Sequence, residues 1–296
     1  MTLQSYEQQY QTYLARIEAA LERAAERYLP ENSTVCQAAR YSLMGGGKRV
    51  RAILVLAVCD LLQGDTQAAE HFAAAVEMLH CYSLIHDDLP CMDDDDYRRG
   101  RLSCHKKFGE STATLAGDVL LTEAFEAIVQ SGASPKICAD AVKALAAGSG
   151  SRGMIYGQEL DIYWEEKLPD RAALDQIHHY KTGALINAAV QMGTAAAQGS
   201  AESCRILEQY AFDLGLVFQI VDDVLDVTAT SEELGKPVGS DAENGKVTFA
   251  TLYGTEGAMQ LAQKINEENC ARMRERFGEN ADFLVHLAEQ LLTRKN

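Results

Sequence analysis

The chain has 296 residues, 47% of them hydrophobic, and a formal net charge of −16. That hydrophobic share excludes global disorder, and the negative charge argues against a nucleic-acid backbone as partner. A small anionic ligand stays open, because a cation held between carboxylates reverses the local sign. Aromatic residues make up 7% and there are five prolines, while Ala and Leu are plentiful, a balance that favours helix over sheet. The eight cysteines are scattered with no CxxC pair, which reads as reduced thiols packed as small hydrophobes in a cytoplasmic protein. Met1 to Gln11 is polar and no apolar run reaches the length of a membrane span, so neither a targeting segment nor stable membrane insertion is expected.

Helical spacing of Leu14, Ile17, Leu21, Tyr28 and Leu29 predicts a first helix over 3–29, ended by Pro30, and a short one over 34–43. The run MGGGKRVR follows. Its glycines permit close approach to a ligand, and Lys48, Arg49 and Arg51 stand at the mouth of an apolar helix over 52–62, so a phosphate site is plausible there. A buried helix is expected over 66–88, with Pro90 disfavouring helix at Leu89. Ser111 is a candidate cap for a helix reaching about Val129. Another helix follows the turn at 131–135, and Gln158 and Asp161 are neighbours three apart. The next helix starts at Pro169-Asp170 and carries Lys181-Thr182-Gly183 in its middle, where the glycine suggests close packing or a bend. A long apolar helix over 202–227, a polar stretch with Lys236 and Lys246, and two amphipathic helices over 255–294 complete an all-α reading with no strand pattern of any length.

Two stretches carry the chemistry. Between Asp87 and Asp96 lie six carboxylates, followed at once by Arg98 and Arg99. Acidic runs are usually solvated loops, but this one follows an apolar helix directly. Repulsion among so many like charges needs an opposing cation, and Mg²⁺ binds through one or two carboxylates plus substrate phosphates. Guanidinium groups suit the phosphate. Asp87 and Asp93 are six apart and share no face of a straight helix, so a break at Leu89–Pro90 would have to fold Asp93 back. In the second stretch Asp222 and Asp226 are four apart on one helix face, with Asp223 beside them and apolar neighbours around. Such carboxylates suffer desolvation, which a cation relieves.

The motifs GGGKRVR (45–51), HCYSLIHDDLPCMDDDDYRRG (80–100), CHKKFGE (104–110), GQELD (157–161), KTGAL (181–185), FQIVDDVLD (218–226) and LGKPVGSD (234–241) occur in this order. Together they resemble the short-chain trans-prenyl diphosphate synthases of the bacterial type, over most of the chain. The resemblance implies one synthase domain over 1–296, built as a large helical bundle around a central cavity, a homodimer, and isoprenoid diphosphates as substrates. It also implies that Asp87, Asp88 and Asp93, with Asp222, Asp223 and Asp226, hold Mg²⁺, three ions with Mn²⁺ as an alternative, on the allylic diphosphate. Arg98, Lys181 and Lys236 would contact that diphosphate. Lys48, Arg51, His80 and Arg99 would hold the diphosphate of isopentenyl diphosphate, and Thr182 and Gln219 would line the reacting carbon. Asp94, Asp95 and Asp96 take supporting roles.

Tyr82 and Ser83 precede Asp87 by one turn and a fraction, where the growing tail is expected, and the Tyr82 ring would stop it at a farnesyl (C15) product. A geranylgeranyl (C20) product is the alternative. The resemblance has departures: Arg101-Leu102-Ser103 replaces a common Pro-Thr pair, Val221 a common Gln, and Phe249 a common Tyr. None removes an acid or a diphosphate contact. A terpene cyclase would lack the second diphosphate site, an inactive synthase subunit would lose acids, and a non-catalytic metal-binding helical protein would not need Arg98, Lys181 or Lys236.

Overall fold

The computed structural model describes residues 1–165, 167, 169–228 and 247–294; Lys236 and Lys246 lie outside them. The described residues are helical almost throughout and fall into two compact units. One comprises Glu7–Ala144 and Met192–Gly199, the other Met1–Tyr6, Leu145–Gln191 and Ser200–Asn296. No helix among the described residues is long and apolar enough to cross a membrane. All eight cysteines are free thiols, and all but Cys91 and Cys204 are buried.

In the first unit, α1 (Leu3–Tyr28) buries Tyr13, Ile17, Leu21 and Ala24 at helical spacing. Ser33 caps α2 (Thr34–Leu43) by accepting from the Cys36 N–H at 3.3 Å. Residues Ala52 through Cys59 of α3 (Val50–Leu61) are all buried, so this helix is apolar all round and forms the interior. Asp65 starts α4 (Thr66–Asp87), accepting from the N–H groups of Gln67 and Ala68 at 3.0 and 3.1 Å. The helix packs along α3 and α6 (Glu110–Val129). Ser111 does not cap α6. The helix begins one residue earlier, after Gly109, whose φ of 86° turns the chain in without a side-chain cap. The short α5 (Cys104–Phe108) was not foreseen, and α7 (Pro135–Ser149) follows α6.

One hairpin also escaped the sequence reading. Strands β1 (Tyr97–Arg98) and β2 (Arg101–Leu102) pair antiparallel, Tyr97 with Leu102 and Arg98 with Arg101. Two residues per strand are too few to show alternation. Arg99 and Gly100 make the turn with φ of 55° and 72°, the two positive values that a tight two-residue hairpin requires. Tyr41 clamps the hairpin: its hydroxyl donates to the Leu102 carbonyl at 2.9 Å, and Arg101 lies over its ring at 4.0 Å.

The second unit holds α8 (Met154–Glu165), α9 (Arg171–His178), a π-helical turn at His179–Gly183, α10 (Ala184–Ala196) as far as Gln191, and α11 (Ala201–Thr228). It continues with α12 (Phe249–Phe277), a 3-10 turn, and α13 (Asp282–Thr293). Val217, Ile220, Val221 and Val224 of α11 build its core against Phe249, Ala258 and Ala262 of α12. Thr248 and Thr251 form a reciprocal cap at the start of α12, and the helix bends at Gly254, φ 69°. Tyr210, fully buried, donates its hydroxyl to the Leu284 carbonyl at 2.8 Å.

Candidate active site

The break after α4 folds the acid loop back on itself. Pro90 disfavours helix at Leu89, and the Leu89 N–H turns to the His86 carbonyl at 3.2 Å. The Asp93 N–H then reaches the Asp87 carbonyl at 2.9 Å, so the two aspartates that a straight helix would separate are joined through their backbones. Asp88 behaves differently. It is 2% exposed and accepts from Arg98 Nε at 2.8 Å and also from Arg98 Nη2. Burial pushes the Asp88 carboxyl up, and the Arg98 guanidinium pulls it back. Arg98 also reaches Asp95 at 3.1 Å, while Lys106 pairs with the exposed Asp94 and Asp96 at 3.4 and 2.7 Å.

The hairpin sends its two arginines to different places. Arg98 serves the acid loop, whereas Arg99 donates to the Gly46 carbonyl and lies over Gly47, where a Cβ would stand 2.6 Å from its guanidinium carbon. Glycine is required there by this contact and by a φ of 130°. Arg99 thereby joins the loop that carries Lys48 and leads into Arg51 on α3. Arg51 Nη1 lies 3.4 Å from His80 Nε2. Burial first, then the surrounding arginines, hold the His80 pKa well below its usual value, so the ring is neutral and accepts from Arg51 through Nε2. That leaves its proton on Nδ1. His80 Nδ1 and Arg51 Nε are both buried with no protein partner among the described residues, two donors that an anion would satisfy. Arg49, grouped with these cations in the sequence reading, turns inward instead. It is 4% exposed and bonded to Glu18, Glu77 and the Leu43 carbonyl.

In the second unit Lys181 and Thr182 occupy the π turn. Such turns insert a residue into the helical ladder and recur at functional sites. Close packing makes room for it: a Cβ on Gly157 would come within 2.0 Å of the Lys181 nitrogen, and one on Gly215 within 3.0 Å of Gly183 Cα. Lys181 Nζ donates to Asp161 at 2.6 Å. Thr182 Oγ1 donates to Gln219 Oε1 at 3.2 Å, Gln219 Nε2 donates to Asp223 at 3.1 Å, and the Phe249 N–H donates to the other Asp223 oxygen at 2.8 Å. Asp223 and Asp226 are each 3% exposed, whereas Asp222 is part-exposed and accepts from Arg294 at 2.6 Å. Two residues of this site were missed. Asp161 had a signal, since it closes the GQELD motif. Arg294 had none; its guanidinium also covers the Phe218 ring at 3.8 Å.

Tyr82 is 6% exposed, with its ring edge-on to His86 at 5.4 Å. His86 is wedged over Gly117, where a Cβ would sit 2.2 Å from Nε2, and that nitrogen contacts the Thr114 carbonyl at 2.9 Å. Ser83 donates back to the His80 carbonyl at 2.8 Å. Among the described residues no three His, Cys, Asp or Glu side chains converge as a ready-made metal cage. The donors present are hard carboxylate oxygens, the type that Mg²⁺ shares with substrate phosphates and water. Each acid cluster supplies such oxygens, and within each some are already bonded in the protein: Asp88 to Arg98, Asp222 to Arg294, and Asp223 to Gln219 and the Phe249 N–H.

The chain matches the family model described as polyprenyl synthetase over residues 32–284. It is 43% identical over 295 residues to geranylgeranyl pyrophosphate synthase 3, chloroplastic, of Arabidopsis thaliana, covering 97% of this chain and 82% of the relative. It is 45% identical over 240 residues to a farnesyl diphosphate synthase of Micrococcus luteus, covering 81% and 82%. A solved geranyltransferase from Helicobacter pylori, complexed with magnesium and isoprenyl diphosphate, superposes with a TM-score of 0.84 at 33% identity, covering 96% of this chain and 97% of that one. A family match of this extent, on an all-α fold, means that the chain belongs to the polyprenyl synthetase family of trans-prenyltransferases.

Proposed function

We propose that this protein is a Mg²⁺-dependent farnesyl diphosphate synthase, condensing isopentenyl diphosphate with dimethylallyl or geranyl diphosphate. The observation that carries this is the hairpin: Arg98 goes to the acid loop and Arg99 to the glycine loop. Adjacent residues thus serve an acidic and a basic site, as a reaction between two diphosphates requires. Asp87, Asp88 and Asp93, with Asp222, Asp223 and Asp226, would hold the magnesium on the allylic diphosphate, where it would neutralise charge developing on the leaving group. Asp88 contributes by fixing Arg98. Arg98 and Lys181, with Lys236, present cations to that same group. The hydroxyl of Thr182, the amide oxygen of Gln219 and carbonyls of the π turn offer partial negative charge to the allylic cation. Lys48, Arg51, neutral His80 and Arg99 hold isopentenyl diphosphate while its double bond attacks that cation. The attack leaves a tertiary cation at C3 of the isopentenyl unit, and loss of a proton from its C2 to the released diphosphate closes the new double bond, so no protein base is needed.

The C15 product rests on Tyr82, whose ring is braced by His86 and Gly117 and would stop the tail. A C20 product is the second reading, favoured by the naming of the Arabidopsis relative. Purified protein with Mg²⁺, labelled isopentenyl diphosphate and either starter, followed by chromatography of the dephosphorylated alcohols, separates them. A dominant C15 alcohol is expected, with Tyr82→Ala shifting product towards C20. A C20 product from the unaltered protein would overturn the Tyr82 floor and leave the family chemistry standing. A homodimer, a single catalytic domain and a cytoplasmic location belong to the same proposal, and light scattering of the pure protein tests the first.

A further inference from the structure

The loop carrying Lys48 and the first turn of α3, which carries Arg51, are held by a carboxylate from another helix. Arg49 precedes α3 in the left-handed region, φ 50° and ψ 28°, and makes no side-chain cap. A non-glycine residue persists there only where its surroundings over-determine it. Glu77, on α4 and 3% exposed, does this from two sides. Its Oε2 accepts from Arg49 Nη1 at 3.3 Å, and its Oε1 accepts the Ala52 backbone N–H at 3.4 Å. The second contact supplies the N-terminus of α3 with the negative charge that an Asp cap would ordinarily bring. Glu18 and the Leu43 carbonyl, each at 2.9 Å, complete the shell around Arg49. The Tyr10 hydroxyl donates to the Lys48 carbonyl at 2.8 Å.

Glu77 precedes His80 on α4 by three residues, so both face α3 one turn apart. Burial pulls the pKa of Arg51 and of Arg99 down, and at each the Glu77 charge opposes that pull. One buried carboxylate therefore both orients the loop and keeps its arginines tolerable away from water.

We propose that Glu77 is a positioning residue for isopentenyl diphosphate: by pinning Arg49 inward and capping α3 it aims Lys48 and Arg51 at one diphosphate. This rests on the reading of Lys48, Arg51, His80 and Arg99 as the isopentenyl diphosphate site. Glu77 itself does not touch the substrate. Acting through charge alone it would repel a diphosphate, and its loss would tighten binding. Acting by position, its loss weakens binding, so the two roles differ in sign.

The test is calorimetry with inorganic diphosphate in EDTA, which keeps metal from the acid clusters and leaves the basic cluster to report. Glu77→Gln is expected to weaken binding by about tenfold or more, with Glu77→Asp recovering part of it. In turnover assays the KM for isopentenyl diphosphate should rise in step, while the KM for the allylic diphosphate and kcat stay put. Equal or tighter binding by a Glu77→Gln protein that melts cooperatively would overturn the proposal. Should that variant not fold, Glu18→Gln removes the outer arm of the same shell and is expected to weaken binding about twofold; unchanged binding there overturns it. Binding that is indifferent to Arg51→Gln would instead bring down the assignment of the basic cluster, and this proposal with it.

Discussion

In the first acid cluster Asp87 and Asp93 stand six residues apart and are joined because Pro90 ends the helix and the Asp93 N–H folds back to the Asp87 carbonyl at 2.9 Å. In the second, Asp222 and Asp226 stand four apart on an unbroken α11, and no bend is needed. Their inner members differ as well. Asp88 accepts from a cation, Arg98, whereas Asp223 accepts from the Gln219 amide and the Phe249 N–H. A loop-built site thus depends on one backbone break and one arginine. A helix-built site depends on the packing of α12 behind it, and it should fail when that packing fails.

The largest expected effect treats the clusters alike. Asp87→Ala and Asp222→Ala should each lower kcat by about 10²-fold or more, the scale for removing a group that stabilises transition-state charge. Steady-state assays at saturating Mg²⁺ measure this, and near-normal turnover in either variant would remove that aspartate from the metal site. The two clusters should part at Pro90→Ala. Restored helical freedom at Leu89 should cost about tenfold in kcat through a misplaced Asp93, with diphosphate binding in EDTA unchanged.

Acid should also loosen the second cluster. His178 stacks on Phe249, whose N–H holds Asp223. Burial lowers its pKa to about 4, with Asp161 opposing and Lys181 adding to the shift. Below the ordinary His pKa of about 6.5 the unfolded chain takes up a proton that the folded chain refuses until near 4. Stability is therefore full above about 6.5 and falls with pH, by about 1 kcal/mol at pH 5.5. Urea unfolding across that range should show the slope, and His178→Phe should make it shallower. The smallest effect concerns Arg294, which shares Asp222 with any bound cation. Arg294→Gln should tighten Mg²⁺ binding in the presence of inorganic diphosphate by roughly two- to threefold, since the Asp222 end of the pair is solvent-accessible and such pairs contribute little. Weaker binding would mean that Arg294 supports the site rather than competing in it.

Much of this was legible along the chain, though unevenly. The break at Leu89–Pro90 and the shared face of Asp222 and Asp226 follow from local rules about proline and helical spacing. Gly183 flagged a disturbance near Lys181, but the π turn needed Gly157 and Gly215 on two other helices to make room. The hairpin at Tyr97–Leu102 was invisible because two-residue strands carry no period. Ser111 had the right chemistry for a cap, yet Gly109 had already turned the chain.

An all-α protein, two aspartate clusters on separate segments and a glycine-cation loop can be read along the chain, because each is a pattern among near neighbours. Tertiary structure alone decided that, of three cations within four residues, Arg49 is buried against Glu18 and Glu77 while Arg51 meets His80. It also decided that Arg98 and Arg99 part company and that Arg294 reaches Asp222 across 72 residues. Side chains of the same type look identical in sequence. Which one gains a charged partner as it loses water depends on whether a distant carboxylate is packed within its reach.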